Sequence, residues 1–250
     1  MSLGVLALLF SVVALIYASV GFGGGSSYLA LLVLWDLPFQ FIPAIALVCN
    51  IVVVSGSSFH YVRAGHLKLK LLWPLVVSSI PLSYLGGRIV IDKVFFVQML
   101  FWALLLSGLR ILIQHRRYDE NFTCYQAIPA RFSFLLGGVL GFCAGVTGIG
   151  GGIYLAPILY HLRAGSPKQI ACLTSLFILL NSMAGLVGQL QKGLVASALL
   201  DYGYLPLCAF LGGQLGNLMM LKFISPRFAA LLTGSLVLFV ASQLALKIWG

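Results

Sequence analysis

Long apolar runs alternate with short polar breaks along the chain, and the run lengths are those of membrane-crossing helices. Six runs, at about 41–62, 69–90, 94–113, 168–190, 198–221 and 227–249, each reach the roughly 20 apolar residues that a transmembrane helix requires. All six are predicted to be helical. Two further apolar stretches, at about 3–34 and 132–160, are interrupted by the glycine clusters Gly21-Phe22-Gly23-Gly24-Gly25 and Gly148-Ile149-Gly150-Gly151-Gly152. About 30 residues of helix extend roughly 45 Å, too long for one upright span and too short for two, so each stretch is expected to be a broken or re-entrant helix. Non-helical backbone persists at membrane depth only where protein buries it or where it lines a wet cavity. Both clusters are therefore expected to face an internal site.

The two halves of the chain match. Beyond the glycine clusters, Tyr28-Leu29-Ala30 is matched by Tyr154-Leu155-Ala156, Pro43 by Pro167, Cys49-Asn50 by Thr174-Ser175, and Leu85-Gly86-Gly87-Arg88 by Leu211-Gly212-Gly213-Gln214, every offset lying between 124 and 127. This repeat divides the chain into a first membrane repeat, 1–113, a polar linker, 114–131, bearing Arg116, Arg117, Asp119 and Glu120, and a second membrane repeat, 132–250. Lys and Arg concentrate in cytoplasmic loops. With the broken segments re-entrant, Arg63, Lys68, Lys70, Arg110, Arg116, Arg117, Arg131, Arg163, Lys168, Lys222 and Arg227 share the inner side, leaving Arg88, Lys93, Lys192 and Lys247 outside, 11 against 4. With the broken segments spanning, the tally is 9 against 6. The re-entrant arrangement obeys the rule better, makes the linker cytoplasmic and gives each half an odd number of crossings, so the halves lie inverted in the bilayer. Inverted repeats with paired broken helices characterise transporters. The expected fold is an all-α polytopic membrane protein of two inverted repeats. Each holds three spanning helices plus one glycine-broken or re-entrant helix, about eight hydrophobic segments in all.

Composition narrows the function. The 250 residues are 61% hydrophobic and 8% charged, against about 45–50% apolar and about 25% charged in soluble domains, which excludes a water-soluble enzyme. The formal charge of +10 reads as orientation signal, because no basic stripe suited to nucleic acid exists. Met1 and Ser2 lead straight into apolar sequence without a charged n-region, so no cleaved signal peptide is expected. Cys49, Cys124, Cys143, Cys172 and Cys208 lack CxxC spacing, and four lie in apolar segments where a thiol packs as a small hydrophobe. No metal or cofactor site is expected. No Asp or Glu falls in the middle of a span, which argues against a carboxylate proton relay or a carboxylate-built sodium site. No GxxxxGK[ST] stretch occurs, which excludes ATP hydrolysis within the chain.

The candidate binding residues follow from the broken helices. A half-helix starting inside the membrane aims unpaired N–H groups and a partial positive charge at whatever faces it. Gly23, Gly24 and Gly25, and Gly150, Gly151 and Gly152, let such backbone approach closely, while Ser26, Ser27 and Thr147 add hydroxyl donors. The alternative is that the glycines only permit close helix packing. Polar residues at helical spacing mark inward faces: Thr174, Asn181, Gly185 and Gly188, with Ser175, Ser182 and Gln189 beside them, and Asn50, Ser57 and Tyr61 in the other half. These serve either as walls of a central site or as interhelical hydrogen bonds; Gln214 and Asn217 suit packing. Arg88 suits either an anion contact or an interfacial pair with Asp92 at i+4. His60, Arg63, His66, Lys68 and Lys70 form a basic loop that raises local anion concentration at the inner mouth.

The paired motifs Gly21-Phe-Gly-Gly-Gly-Ser26 and Thr147-Gly-Ile-Gly-Gly-Gly, about 125 residues apart in a basic 250-residue membrane chain, resemble the sulfite exporter TauE/SafE family, also called the 4-toluene sulfonate uptake permease family. The resemblance covers nearly the whole chain. It implies a transporter of sulfur-containing anions such as sulfite and sulfonates, usually in the bacterial plasma membrane, and leaves the particular substrate and direction open. The expectation is a multi-pass secondary transporter, not an enzyme, whose halves alternate access to a small anionic substrate. Its partners are that substrate and the lipid bilayer, not nucleic acid, and its glycine-rich helix faces allow a homodimer. The competing readings are a passive anion channel and a membrane protein that handles sulfur through its cysteines.

Overall fold

The computed structural model describes residues 3–19, 21–114, 126, 128–193, 195–220 and 226–249. Among these, the first half comprises α1 (Leu3–Ala18), α2 (Gly25–Leu34), a 3-10 turn at Phe39–Phe41, α3 (Ile42–Arg63), α4 (Leu69–Arg88) and α5 (Lys93–Gln114). The second comprises α6 (Ala130–Thr147), α7 (Gly152–His161), α8 (Pro167–Leu190), α9 (Val195–Tyr202), α10 (Tyr204–Met220) and α11 (Pro226–Trp249). Five helices, counting the 3-10 turn with α3, are long and apolar enough to cross a bilayer: Phe39–Arg63, Leu69–Arg88, Lys93–Ile113, Ala130–Thr147 and Pro167–Leu190. The bent pair α9–α10 makes up to six. Arg116, Arg117, Asp119, Glu120, Cys124 and Lys222 lie outside the described residues.

Helix boundaries follow local chemistry. Proline stands in the first turn of α3 (Pro43) and opens α8 (Pro167), where its missing N–H costs nothing. Ser166 and Gln169 add a reciprocal capping box at α8. The Asp92 carboxylate accepts from Val94 N–H at 2.9 Å and caps α5. Arg88 does not pair with it; the guanidinium sits 5.6 Å from the Tyr84 ring centroid instead.

The span expected at 198–221 as one helix is instead two helices meeting at Gly203 with a 71° bend. Pro206, in the first turn of α10, has no N–H to offer the Tyr202 carbonyl, so an unbroken helix through this point would forfeit a hydrogen bond and meet the proline ring.

Contacts relate the halves in pairs. α1 packs on α10 as α6 packs on α4; α3 packs on α10 as α8 packs on α4; α2 touches α11 as α7 touches α5. α3 and α8 pack on each other, as do α5 and α11. Glycines set these approaches. In α6, Gly137, Gly141 and Gly145 lie against Leu75, Ser79 and Ser83 of α4, and in α10, Gly212 and Gly216 lie against Ser11 and Leu15 of α1. Small residues at four-residue spacing let backbones come together where apolar lipid supplies no hydrophobic drive.

The same contacts give directions. Numbers rise together along α4 and α6, and along α1 and α10. They also rise together along α3 and α10, where Val53 meets Gly213 and Ser57 meets Asn217, and along α4 and α8, where Ser83 meets Asn181 and Gly87 meets Gly185. Hence α1 and α3 run the same way with α2 doubling back between them, and α6 and α8 run the same way with α7 doubling back. α3 and α8 are antiparallel, since Tyr61 clusters with Cys172 while Leu47 meets Gly185.

The outer faces carry exposed apolar side chains such as Leu8, Trp73, Ile113, Leu135 and Leu200, as a lipid-facing surface requires. Inside, Ser57 donates to Asn217 Oδ1 at 2.6 Å and ties α3 to α10. Ser57→Ala is expected to lower the unfolding free energy by about 1–3 kcal/mol, because it strands a buried acceptor, and Ser57→Ala with Asn217→Leu to recover most of the loss. Thermal unfolding in detergent checks this; a double variant as unstable as the sum of its parts would contradict it.

Candidate functional site

Both glycine clusters are buried: every residue from Gly21 to Val33 and from Ala144 to Ile153 is shielded from the surface. In the first, Phe22 N–H donates to Tyr17 O at 2.9 Å, closing the end of α1. Gly24 then takes a left-handed conformation, φ 81°, to start α2 in the reverse direction. In the second, Thr147 Oγ1 donates to Cys143 O at 2.7 Å and accepts from Ile149 N–H at 3.3 Å. Gly151, φ 80°, then caps α7 as Gly24 caps α2. The match extends to the far ends of the short helices, where Asp36 and Arg163 both carry positive φ, at the same offset as Gly24 and Gly151.

The hydrogen-bond ladder of α2 begins with Ser27 and Tyr28 N–H on Gly24 O, and that of α7 with Tyr154 and Leu155 N–H on Gly151 O. The amides of Gly25, Ser26, Gly152 and Ile153 precede the ladders and carry the positive ends of the two helix dipoles.

The two breaks meet across Asn50. Its Nδ2 donates to Gly148 O at 3.3 Å and to Ile149 O at 3.1 Å. On its other side, a Cβ placed on Gly23 would stand 2.5 Å from Asn50 Oδ1, and one placed on Gly25 would stand 2.7 Å from Ile149 O and closer still to Asn50 Nδ2. Only glycine fits at either position. Gly150 also lies against Asn50 Nδ2 and against Ser182 Oγ.

The other sequence-derived candidates separate into groups. Thr174 supports the site without offering its hydroxyl, because Oγ1 donates to Ile170 O at 2.8 Å while the methyl rests on Gly152. The Ser26 and Ser27 hydroxyls lie 3.4 and 2.8 Å from Tyr17 Oη and clasp α2 to α1. Asn181 Nδ2 donates to Phe177 O at 2.8 Å, its backbone carbonyl accepts from Ser83 Oγ at 2.8 Å at the α4–α8 contact, and its Oδ1 is buried without a protein hydrogen-bond partner. Gly185 and Gly188 lie against Gly87 of α4, and Tyr61 lies against Gly21. Two further hydroxyls lie against the breaks, that of Tyr28 from the repeated triplet and that of Ser182 from the polar stripe of α8. The Tyr28 hydroxyl sits over Gly24, with its ring stacked on Phe10 at 4.7 Å, and Ser182 Oγ faces Gly150. The Tyr28 and Ser182 hydroxyls and Asn50 Oδ1 are buried and lack a protein hydrogen-bond partner.

The buried polar side chains are serine, threonine, asparagine and glutamine, with no charged residue among those described. The surroundings of the two breaks are therefore dipolar rather than charged. Positive charge gathers at the surface, where the α3–α4 loop meets the α7–α8 loop: Lys68 and Lys70 line a groove of about 560 Å³ together with Gln126 and Ala164. Burial and the neighbouring Lys168 hold the His66 imidazole below its ordinary pKa of 6.5. At the opposite ends of the helices, Lys192 Nζ donates to Ile89 O at 2.8 Å, joining the α8–α9 and α4–α5 loops. Cys49, Cys143, Cys172 and Cys208 are free thiols. Among the described residues no group of three or more His, Cys, Asp or Glu is placed to hold a metal ion.

Apolar spanning helices, two buried broken helices and an uncharged dipolar site between them define a multi-pass membrane transporter. The chain belongs to the sulfite exporter TauE/SafE family, whose model matches residues 6–244. It is similar to a "Probable membrane transporter protein y4hK" of Sinorhizobium fredii, at 28% identity over 221 residues, 88% of this chain and 89% of that one. It is also similar to a "Probable membrane transporter protein" of Haemophilus influenzae, at 27% identity over 198 residues, 75% of this chain and 72% of that one. No solved structure shows significant similarity. The family and these relatives are transporters, not enzymes.

Proposed function

We propose that the chain is a secondary transporter of small sulfur-containing anions in the bacterial plasma membrane. Its inverted halves, 1–113 and 132–250 joined by the linker 114–131, rock against each other around the meeting of the two glycine breaks. The observation that carries this reading is that both breaks close on Asn50, which holds Gly148 O and Ile149 O just ahead of α7 and lies against Gly23 and Gly25 at the start of α2. The antiparallel run of α3 and α8 supports inversion. Loop pairing supports the re-entrant charge count, because Arg63 and Lys68 share an end with Arg163 and Lys168, whereas Lys192 shares the other end with Arg88 and Lys93. Burial of both breaks suits an occluded stage of alternating access better than a continuous pore.

The test is uptake and efflux of radiolabelled sulfite in proteoliposomes of the purified protein. Saturable flux with exchange of internal for external substrate is expected. No flux and no binding of sulfite or simple sulfonates would overturn the sulfur assignment, and unitary currents in a planar bilayer would favour a channel. Replacing all five cysteines by alanine is expected to leave flux within about twofold; a loss greater than tenfold would favour thiol chemistry.

A further inference from the structure

Hydrogen-bond character at the meeting point is mixed, although a site for a bare anion needs donors only. The amides of Gly25, Ser26, Gly152 and Ile153 donate, and the Tyr28 and Ser182 hydroxyls both donate and accept. Asn50 Oδ1 only accepts. Its orientation is set from behind: Nδ2 is held by two carbonyls, Gly148 O and Ile149 O, and flipping the amide would press Oδ1 against both of them. Oδ1 is thereby fixed beside Gly23 and Gly25, at the start of α2, with no protein donor. The side chain is fully buried. A fixed acceptor beside unladdered amides repels a group that presents only oxygen lone pairs or only methyl hydrogens to it, because a buried acceptor left unmatched is costly.

We infer that the site selects anions that carry their own N–H or O–H donor, placed so that the donor meets Asn50 Oδ1 while the negative oxygens face the amides of α2 and α7. This rests on the transporter reading above and names the substrate class of the same site. A singly protonated oxyanion or an amino-substituted sulfonate belongs to that class; a fully substituted or fully deprotonated oxyanion does not. The protein then needs no carboxylate relay to move a proton with its solute, since the solute carries the hydrogen itself.

A pair of monoanions of nearly equal size tests this without changing pH: sulfamate, which presents an NH2 group, and methanesulfonate, which presents a methyl group in its place. Each competes with labelled sulfite for uptake by the full-length protein in liposomes at pH 7. Sulfamate is expected to compete at a concentration at least about tenfold lower. In Asn50→Ala the ratio is expected to fall toward one, and Ser182→Ala, which leaves the Asn50 amide in place, is expected to retain a preference for sulfamate. Equal competition by the two anions in the unmodified protein would overturn the inference and leave anion transport standing. A ratio unchanged in a folded Asn50→Ala would also overturn it. Absence of sulfite uptake, with neither anion bound, would overturn the transporter reading and this inference with it. Should Asn50→Ala fail to fold, the ratio in the unmodified protein decides alone.

Discussion

Gly25→Ala is expected to reduce solute flux by about a hundredfold, with the protein still inserted and helical. The added methyl has nowhere to go: it would meet the Asn50 amide and Ile149 O together, and both are tied into the contact that joins the two breaks. Overpacking at a closed site costs about 1–3 kcal/mol, and each 1.4 kcal/mol is a factor of ten. Relief by shifting Asn50 would break its bonds to Gly148 O and Ile149 O, so the adjustment itself dismantles the site. Gly4→Ala is the control, because nothing lies within 4 Å of a Cβ there; it is expected to leave flux unchanged. Proteoliposome uptake at matched protein density makes the comparison. Flux in Gly25→Ala within threefold of the unmodified protein would remove the meeting of the breaks from the mechanism.

The second large effect falls on the fold. A Cβ on Gly145 would enter the van der Waals envelope of Ser83 O, and one on Gly212 that of Ser11 O. Each contact is backbone to backbone, so no side-chain rotation relieves it. Gly145→Ala and Gly212→Ala are each expected to lower stability by about 2–3 kcal/mol, seen as reduced monodisperse yield and a lower Tm in detergent. The two contacts lie on different helix pairs and share no partner, so the losses are expected to add within about 0.5 kcal/mol. An unchanged Tm for either variant would mean that α4–α6 or α1–α10 is less closely packed than described.

Much of the fold was legible in the sequence because each feature has a local cause. Spans show as runs of apolar residues, and breaks show as glycine clusters that no membrane helix would carry without reason. The packing role of α6 was also open to view: Gly137, Gly141 and Gly145 recur every four residues, the spacing that marks a close helix contact. The bend at Gly203 was obscured by the apolar run across it; the signal lay in Pro206, four residues beyond Tyr202, rather than in hydropathy. Of the candidate site residues, Gly23, Gly25 and Gly150 come together at Asn50. Asn181 and Ser182 both stood in the polar stripe read on α8; one residue turns a helix by about 100°, so Ser182 faces Gly150 while Asn181 Nδ2 turns to Phe177 O. Tyr28 was visible only as part of a repeated triplet, and its tertiary role rests on a stacking contact with Phe10 that no spacing reveals.

By itself the sequence determined a membrane-embedded, helical, internally repeated chain, together with the two places where its helices break. Those properties follow from side-chain solubility and glycine's conformational freedom, which act residue by residue. Only the tertiary structure decided that both breaks double back and that they meet at Asn50. Those outcomes depend on which backbones can approach across more than a hundred residues of chain, and that is settled by glycine faces fitting against particular carbonyls in three dimensions.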